Sequence, residues 1–158
     1  RGRGRRLRVE RRVVPVTAIA SRDVVSIHGD MRVEQVIDLL VDKYIGCLPV
    51  VDEDGRVVGM VAISDFLKNT DWNWNRRGRL RCLLTSPRQA PSTAADIMTA
   101  PVIALREDTH VADLFATFAS HGINHVPVTA ADGSLAGIIT RLDLLNLFGS
   151  QVGDRRAA

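Results

Sequence analysis

The sequence predicts an α+β protein of two β-α-β-β-α repeats packed sheet to sheet about a pseudo-twofold axis. The first observation behind this is an internal repeat: shifted by 78 residues, positions 18–67 fall on 96–145 without a gap. Ile19 meets Ile97, Asp30 meets Asp108, Pro49-Val50 meets Pro127-Val128, Asp54-Gly55 meets Asp132-Gly133, and Asp65 meets Asp143. The second is a switch of apolar period inside each copy, from helical spacing to short continuous runs around an Asp-Gly turn. The third is composition. The 158 residues are 46% hydrophobic but only 4% aromatic, so the core is aliphatic. A unit of about 50 residues buries too little surface to stand alone, and pairing the two copies answers that need. No apolar run approaches the roughly 18–20 residues that cross a bilayer.

Each element follows in order. Residues 24–27 (VVSI) and 102–105 (VIAL) open the repeats as strands. Val33, Val36, Ile37, Leu40, Val41 and Tyr44 share one helical face, as do Val111, Leu114, Phe115, Phe118 and Ala119 in the second copy. Asp30 and Asp108 stand ready as N-caps. Strands over 47–51 and 125–129 each carry a proline, which removes a ladder donor and is expected to begin the strand or sit at an edge. Asp-Gly hairpins lead to returning strands over 57–63 and 135–140, and short helices from near Asp65 and Asp143 close the units. The resulting organisation is a basic lead-in over 1–14, a first repeat over 15–70, a linker over 71–95, a second repeat over 96–149 and a tail over 150–158. One helical turn is expected within the linker at 79–84.

The net charge of +3 is unevenly placed. Arg1, Arg3, Arg5, Arg6, Arg8, Arg11 and Arg12 crowd the lead-in, Arg76, Arg77, Arg79 and Arg81 crowd the linker, and the rest is acidic. No apolar segment of signal-peptide type follows the basic start. The two cysteines make no disulfide framework or metal pair, and a reducing, cytoplasmic setting is expected. His28, His110 and His121 are scattered, and no histidine–carboxylate set has metal spacing. Asp52, Glu53 and Asp54 read as solvated turn acids. No nucleophilic or acid–base constellation is visible, so the chain is expected not to be an enzyme. Trp72 and Trp74 either pack on the body or meet a partner.

The Asp96-Ile97-Met98-Thr99 lead-in, the Ile-x-x-x-Pro-Val segments at 45–50 and 123–128, the paired Asp-Gly turns and the closing Gly59…Asp65 and Gly137…Asp143 segments together resemble a tandem pair of CBS domains, the module named after cystathionine β-synthase. The resemblance covers roughly residues 16–148. It implies a disc-like pair, often a homodimer, that binds an adenosyl small molecule such as AMP, ADP, ATP or S-adenosylmethionine between the repeats, with no required cofactor. The basic lead-in and long Arg-rich linker also resemble CBS pairs attached to HPP-family integral membrane proteins, which would place residues 1–14 beside a membrane domain at its cytoplasmic face.

The family's phosphate and ribose contacts carry over to Thr140 and Asp143. Chemistry favours both: Thr140 brings a hydroxyl to a helix start, where free N–H groups suit phosphate, and the Asp143 carboxylate matches a vicinal diol. Arg141 adds a charge-assisted contact. By resemblance alone, the adenine side is expected at Thr99, Pro101 and Val102 and at Asn124, His125, Val126 and Pro127. The first repeat has Ala62 where the hydroxyl belongs, a loss on the order of 1 kcal/mol. A second site over Ser21, Val24, Cys47, Leu48, Pro49 and Asp65 is therefore expected to be weak, altered or empty. Two rival readings stand beside the sensor. One is a dimerisation scaffold without nucleotide; the other, less favoured, is nucleic-acid binding by the Arg tail, marked by steep salt dependence.

Overall fold

The computed structural model describes residues 14–69, 72–74, 80–82 and 91–156, with side chains placed over 14–66 and 91–149. The lead-in arginines, the side chains of the linker arginines and tryptophans, and the end of the C-terminal tail lie outside the described residues.

The first repeat runs β1 (Ile27–His28), α1 (Val33–Asp42), β2 (Cys47–Val51), β3 (Val57–Ala62) and α2 (Ile63–Asn69). After β4 (Trp72–Trp74), β5 (Leu80–Cys82) and the short α3 (Ala94–Ile97), the second runs β6 (Leu105–Arg106), α4 (Val111–His121), β7 (His125–Thr129), β8 (Leu135–Thr140) and α5 (Arg141–Arg156). Each repeat forms a three-stranded sheet, β1-β2-β3 or β6-β7-β8, with a parallel outer pair and an antiparallel hairpin. Gly55 and Gly133 turn the hairpins at φ of 77° and 87°, the left-handed region that glycine enters without a Cβ clash.

Several local expectations are corrected. The opening strands shrink to two residues each, Ile27–His28 and Leu105–Arg106, and the segments ahead of them bridge the other repeat, residue 21 to β8 and residue 99 to β3. The helix caps fall at Arg32 and His110, two residues beyond the aspartates, and Asp108 pairs instead with Arg106 at 3.1 Å. Pro49 and Pro127 lie in mid-strand, on the central strand of each sheet. They are tolerated because their partners, Met60 and Ile138, turn their own N–H and C=O groups outward to Thr99 and Ser21, while β1 and β6 begin their pairing only at Val50 and Val128. Residues 80–82 form a strand against β4, not a helical turn. The expected helix faces are also too wide: Val36 and Leu40 are buried, but Val41 and Tyr44 are exposed, and Ala119 is exposed beside buried Leu114 and Phe118.

The repeats exchange their leading segments. Val16 is buried in the second repeat's core with Leu114, Phe118, Val126, Val128, Ile139 and Leu144. Ala94 and Ile97, its counterparts with Ile19, are buried in the first with Ile27, Val36, Leu48, Val50 and Val61. Backbone bridges obey the same 78-residue symmetry: Pro15–His110 matches Arg32–Thr93, and Ser21–Ile138 matches Met60–Thr99. Arg56–Ser134 maps onto itself and so marks the pseudo-twofold axis.

Candidate ligand clefts

Exchange of the leading segments creates two symmetry-related clefts at the ends of β3 and β8. The first, of about 490 Å³, is floored by Met60, Ala62, Ile63, Ser64 and Asp65 and faced by Thr99, Pro101, Val102 and Ile103. The second, of about 590 Å³, is floored by Ile138, Thr140, Arg141 and Leu142 and faced by Asp23, Val24 and Val25. Gly46, Asn124 and His125 line both and form a common partition.

The residues expected to form one site are therefore divided. Thr99, Pro101 and Val102 face Asp65, whereas Thr140 and Arg141 face Val24 and Cys47. The cause is the bridge of residue 99 to β3 and of residue 21 to β8, which carries each leading segment to the closing strand of the opposite repeat. Val126, Pro127, Leu48 and Pro49 belong to neither cleft, because their side chains are fully buried inside β7 and β2. Ser21 lines neither cleft; its backbone exchanges two bonds of 2.9 Å with Ile138.

The two carboxylates have different surroundings. In the second cleft the Thr140 N–H and hydroxyl both donate to Asp143 Oδ2, at 2.7 and 2.9 Å. Asp143 stands half-buried behind Thr140, and its Oδ1 has no partner among the described residues. Arg141 donates from Nε to the Ile123 carbonyl at 3.1 Å, which anchors the guanidinium at the cleft and leaves its Nη groups unpartnered among the described residues. In the first cleft Asp65 is 5% exposed and uses both oxygens: Ala62 N–H donates to Oδ2 at 2.8 Å, and the Thr99 hydroxyl donates to Oδ1 at 3.2 Å.

Two titratable groups on the cleft walls are displaced by burial. The Cys47 thiol is pushed up to about 12, since a thiolate there would be stripped of water. His125 is lowered from its usual value, first by desolvation and then by the Arg141 charge, so the neutral ring forms the partition at pH 7. Among the described residues no cluster of His, Cys, Asp and Glu could hold a metal ion, and no helix is long and apolar enough to cross a membrane.

Sequence reasoning missed Gly46, Tyr44, Ile45 and Asp23 as cleft residues. Gly46 had a signal, since it occupies the position of Asn124 in the other repeat.

Comparison with known proteins agrees with this fold. An uncharacterised protein of Methanocaldococcus jannaschii is 32% identical over 133 residues, 82% of this chain and 31% of its own length. The L-aspartate semialdehyde sulfurtransferase of the same organism is 27% identical over 86% of this chain, which spans only 23% of it. Among solved structures, the CBS domain pair of protein MJ0100 in complex with 5′-methylthioadenosine and S-adenosyl-L-methionine superposes with a TM-score of 0.71 at 27% identity, over 88% of this chain and 98% of that one. CBSX2 in complex with AMP superposes with a TM-score of 0.73 at 23% identity, over 89% of this chain and 98% of that one, which shows the fold. The CBS domain model matches residues 16–70 and 94–150, the two halves that the 78-residue repeat separates, and the chain belongs to the CBS domain family as a tandem pair.

Proposed function

We propose that the chain is a regulatory module that binds an adenine nucleotide between its repeats and transmits a change in their arrangement to an attached domain or partner. The observation that carries this is the Thr140–Arg141–Asp143 corner. It brings a guanidinium with unpartnered Nη groups to the cleft for phosphate; the Thr140 hydroxyl, which in this structure donates to Asp143, would turn to the phosphate on binding and release the half-buried Asp143 carboxylate behind it for a ribose diol, at the start of the 16-residue helix α5. The cleft's 590 Å³ accommodates a nucleotide. The adenosyl ligands of the MJ0100 pair, at 27% identity, support the same class. A ligand shifts the repeats only through its differential affinity for two arrangements, and the exchanged leading segments make each repeat's core depend on the other.

The two relatives above are far longer than the matched segment, so the regulated activity is proposed to lie in an attached domain, and the chain itself is proposed to be non-catalytic. Self-association is part of the same reading. Leu142 and Leu145 are each 63% exposed on α5, one turn apart, and Phe148 continues the patch at 51%. Homodimerisation through this face predicts that Leu145→Glu yields monomers in sedimentation equilibrium.

Calorimetric titration with AMP, ADP, ATP and S-adenosylmethionine, beside Asp143→Ala, tests the ligand reading. Saturable binding of a phosphate-bearing ligand that the variant loses is the expected result. No binding to a folded chain would favour a dimerisation scaffold.

A further inference from the structure

The two Asp-Gly hairpins meet on the pseudo-twofold axis at the starts of β3 and β8, the strand ends opposite the clefts. Leu135 N–H donates to the Gly55 carbonyl and Val57 N–H to the Gly133 carbonyl, each at 3.1 Å. The side chains there break the symmetry. Arg56 lies along Gly133, where an added Cβ would meet its Cγ at 3.7 Å. Its guanidinium is spent on the Asp132 carbonyl at 3.1 Å and the Asp54 carboxylate at 3.3 Å. The mate of Arg56 is Ser134, and an added Cβ on Gly55 would meet nothing within 4 Å. The short side chain leaves a pocket of about 330 Å³ beside Gly55, walled chiefly by Arg22, Val24, Ser26, Val51, Ser134 and Leu135.

This pocket shares only Val24 with the Thr140 cleft and no residue with the Asp65 cleft. Arg22 and Ser26 face it, whereas Asp23 and Val25 face the Thr140 cleft. At the mate positions the other leading segment carries Ala100 and Ala104, so both polar side chains are peculiar to this side. Arg22 is the pocket's one charged group and has no ion pair or hydrogen bond among the described residues. Its paired N–H donors match a carboxylate, and a single cation balances one negative charge better than two. The Ser134 hydroxyl already donates to Asp132 Oδ1 at 2.6 Å, so it offers a ligand only lone pairs and suits a hydroxyl donor. Val24, Val51 and Leu135 supply aliphatic walls. We propose that this pocket is a third ligand site, for a short aliphatic hydroxycarboxylate, with Arg22 on the carboxylate and Ser134 accepting from the hydroxyl. The site stands whether or not the two clefts bind nucleotide.

The test is an amide NMR titration of the full chain with β-hydroxybutyrate, butyrate and inorganic phosphate, in the native protein, Arg22→Gln and Ser134→Arg. β-Hydroxybutyrate is expected to shift the Val24, Ser26, Gly55 and Leu135 amides saturably while those of Asn124 and Thr140 stay in place. Arg22→Gln is expected to weaken it by about tenfold or more. Ser134→Arg is expected to abolish binding by filling the pocket as Arg56 fills its mate. Butyrate, which lacks the hydroxyl, and phosphate, which carries excess charge, are expected to bind more weakly. The dispersion of each variant's spectrum reports its folding, and Arg22→Gln, at an exposed rim position, decides the matter should Ser134→Arg not fold. Shifts centred on Thr140, an affinity that survives Arg22→Gln, or no saturable shift in the native chain overturns the proposal. Phosphate binding at the same amides as tightly as β-hydroxybutyrate overturns the assigned ligand class.

Discussion

Thr99 donates its hydroxyl to Asp65 Oδ1 at 3.2 Å, a side-chain bond between the repeats. The symmetry-related Asp143 takes its side-chain donor from Thr140 within its own repeat. The difference traces to Ala62: with no hydroxyl at the strand end, the buried Asp65 carboxylate recruits one from the opposite leading segment. Thr99→Val is expected to cost about 1 kcal/mol or somewhat more, because a buried acceptor loses a donor. In a chain of this size that lowers the thermal midpoint by roughly 2–4 °C. Ser21→Val, at the mate position, is expected to leave the midpoint unchanged. Equal losses in scanning calorimetry would show that the cross-repeat bond carries no weight.

Gly137 and Gly59 occupy symmetric positions where a leading segment crosses a closing strand. A Cβ on Gly137 would lie 2.9 Å from the Ser21 carbonyl oxygen, which is backbone held by two strand-like bonds. A Cβ on Gly59 would meet the Met98 sulfur first, at 2.5 Å, and a methionine side chain swings aside more cheaply than backbone moves. Gly137→Ala is therefore expected to destabilise by about 1–3 kcal/mol, and Gly59→Ala by less. Urea unfolding midpoints check the order, and a reversed order would contradict the assigned contacts.

The repeat, the order of elements within each copy and the Asp-Gly hairpins were legible because they rest on short-range patterns: helical spacing, Asp-Gly turns and gapless self-similarity. The exchange of leading segments was not. Nothing in the sequence near Val16 or Ala94 says which repeat's core will bury it, since both cores are aliphatic and present equivalent surfaces. That single unreadable choice accounts for the division of the candidate site. Thr99 and Thr140 lie in one repeat, but the Met60–Thr99 bridge moves Thr99 to the other cleft. The mid-strand prolines were misplaced for a related reason: Met60 and Ile138 look like ordinary ladder partners until their outward bonds to Thr99 and Ser21 are known.

Tyr44 ends the first helix at φ 52°, while its mate Gly122 sits at φ 61°. The left-handed conformation costs an L-residue about 1–2 kcal/mol, and glycine avoids that cost. Tyr44 is 96% exposed, so replacing it removes almost no packing. Tyr44→Gly is expected to stabilise the chain by up to about 1 kcal/mol, and Gly122→Ala to destabilise it by a similar amount. Chemical denaturation of the two variants decides this. A loss on Tyr44→Gly would mean that the tyrosine side chain contributes contacts that outweigh its backbone strain.

His125 makes the partition between the clefts a source of acid sensitivity. The ring lies against Gly46, where an added Cβ would approach Nε2 to 3.1 Å, and desolvation followed by the Arg141 charge lowers its pKa below 6.5. The unfolded chain therefore binds a proton at this residue more readily than the native one, and stability rises with pH through the interval between the two values. Its contribution is complete above about pH 6.5 and drains away as pH falls toward the lowered native value. His125→Gln, which keeps a polar side chain of similar reach without titrating, is expected to flatten this segment of the stability profile. Urea midpoints at pH 7.5 and pH 5.5 should fall further for the native chain than for the variant. An equal fall in both would assign the acid sensitivity to other groups, and a steeper fall in the variant would require His125 to be charged in the native state.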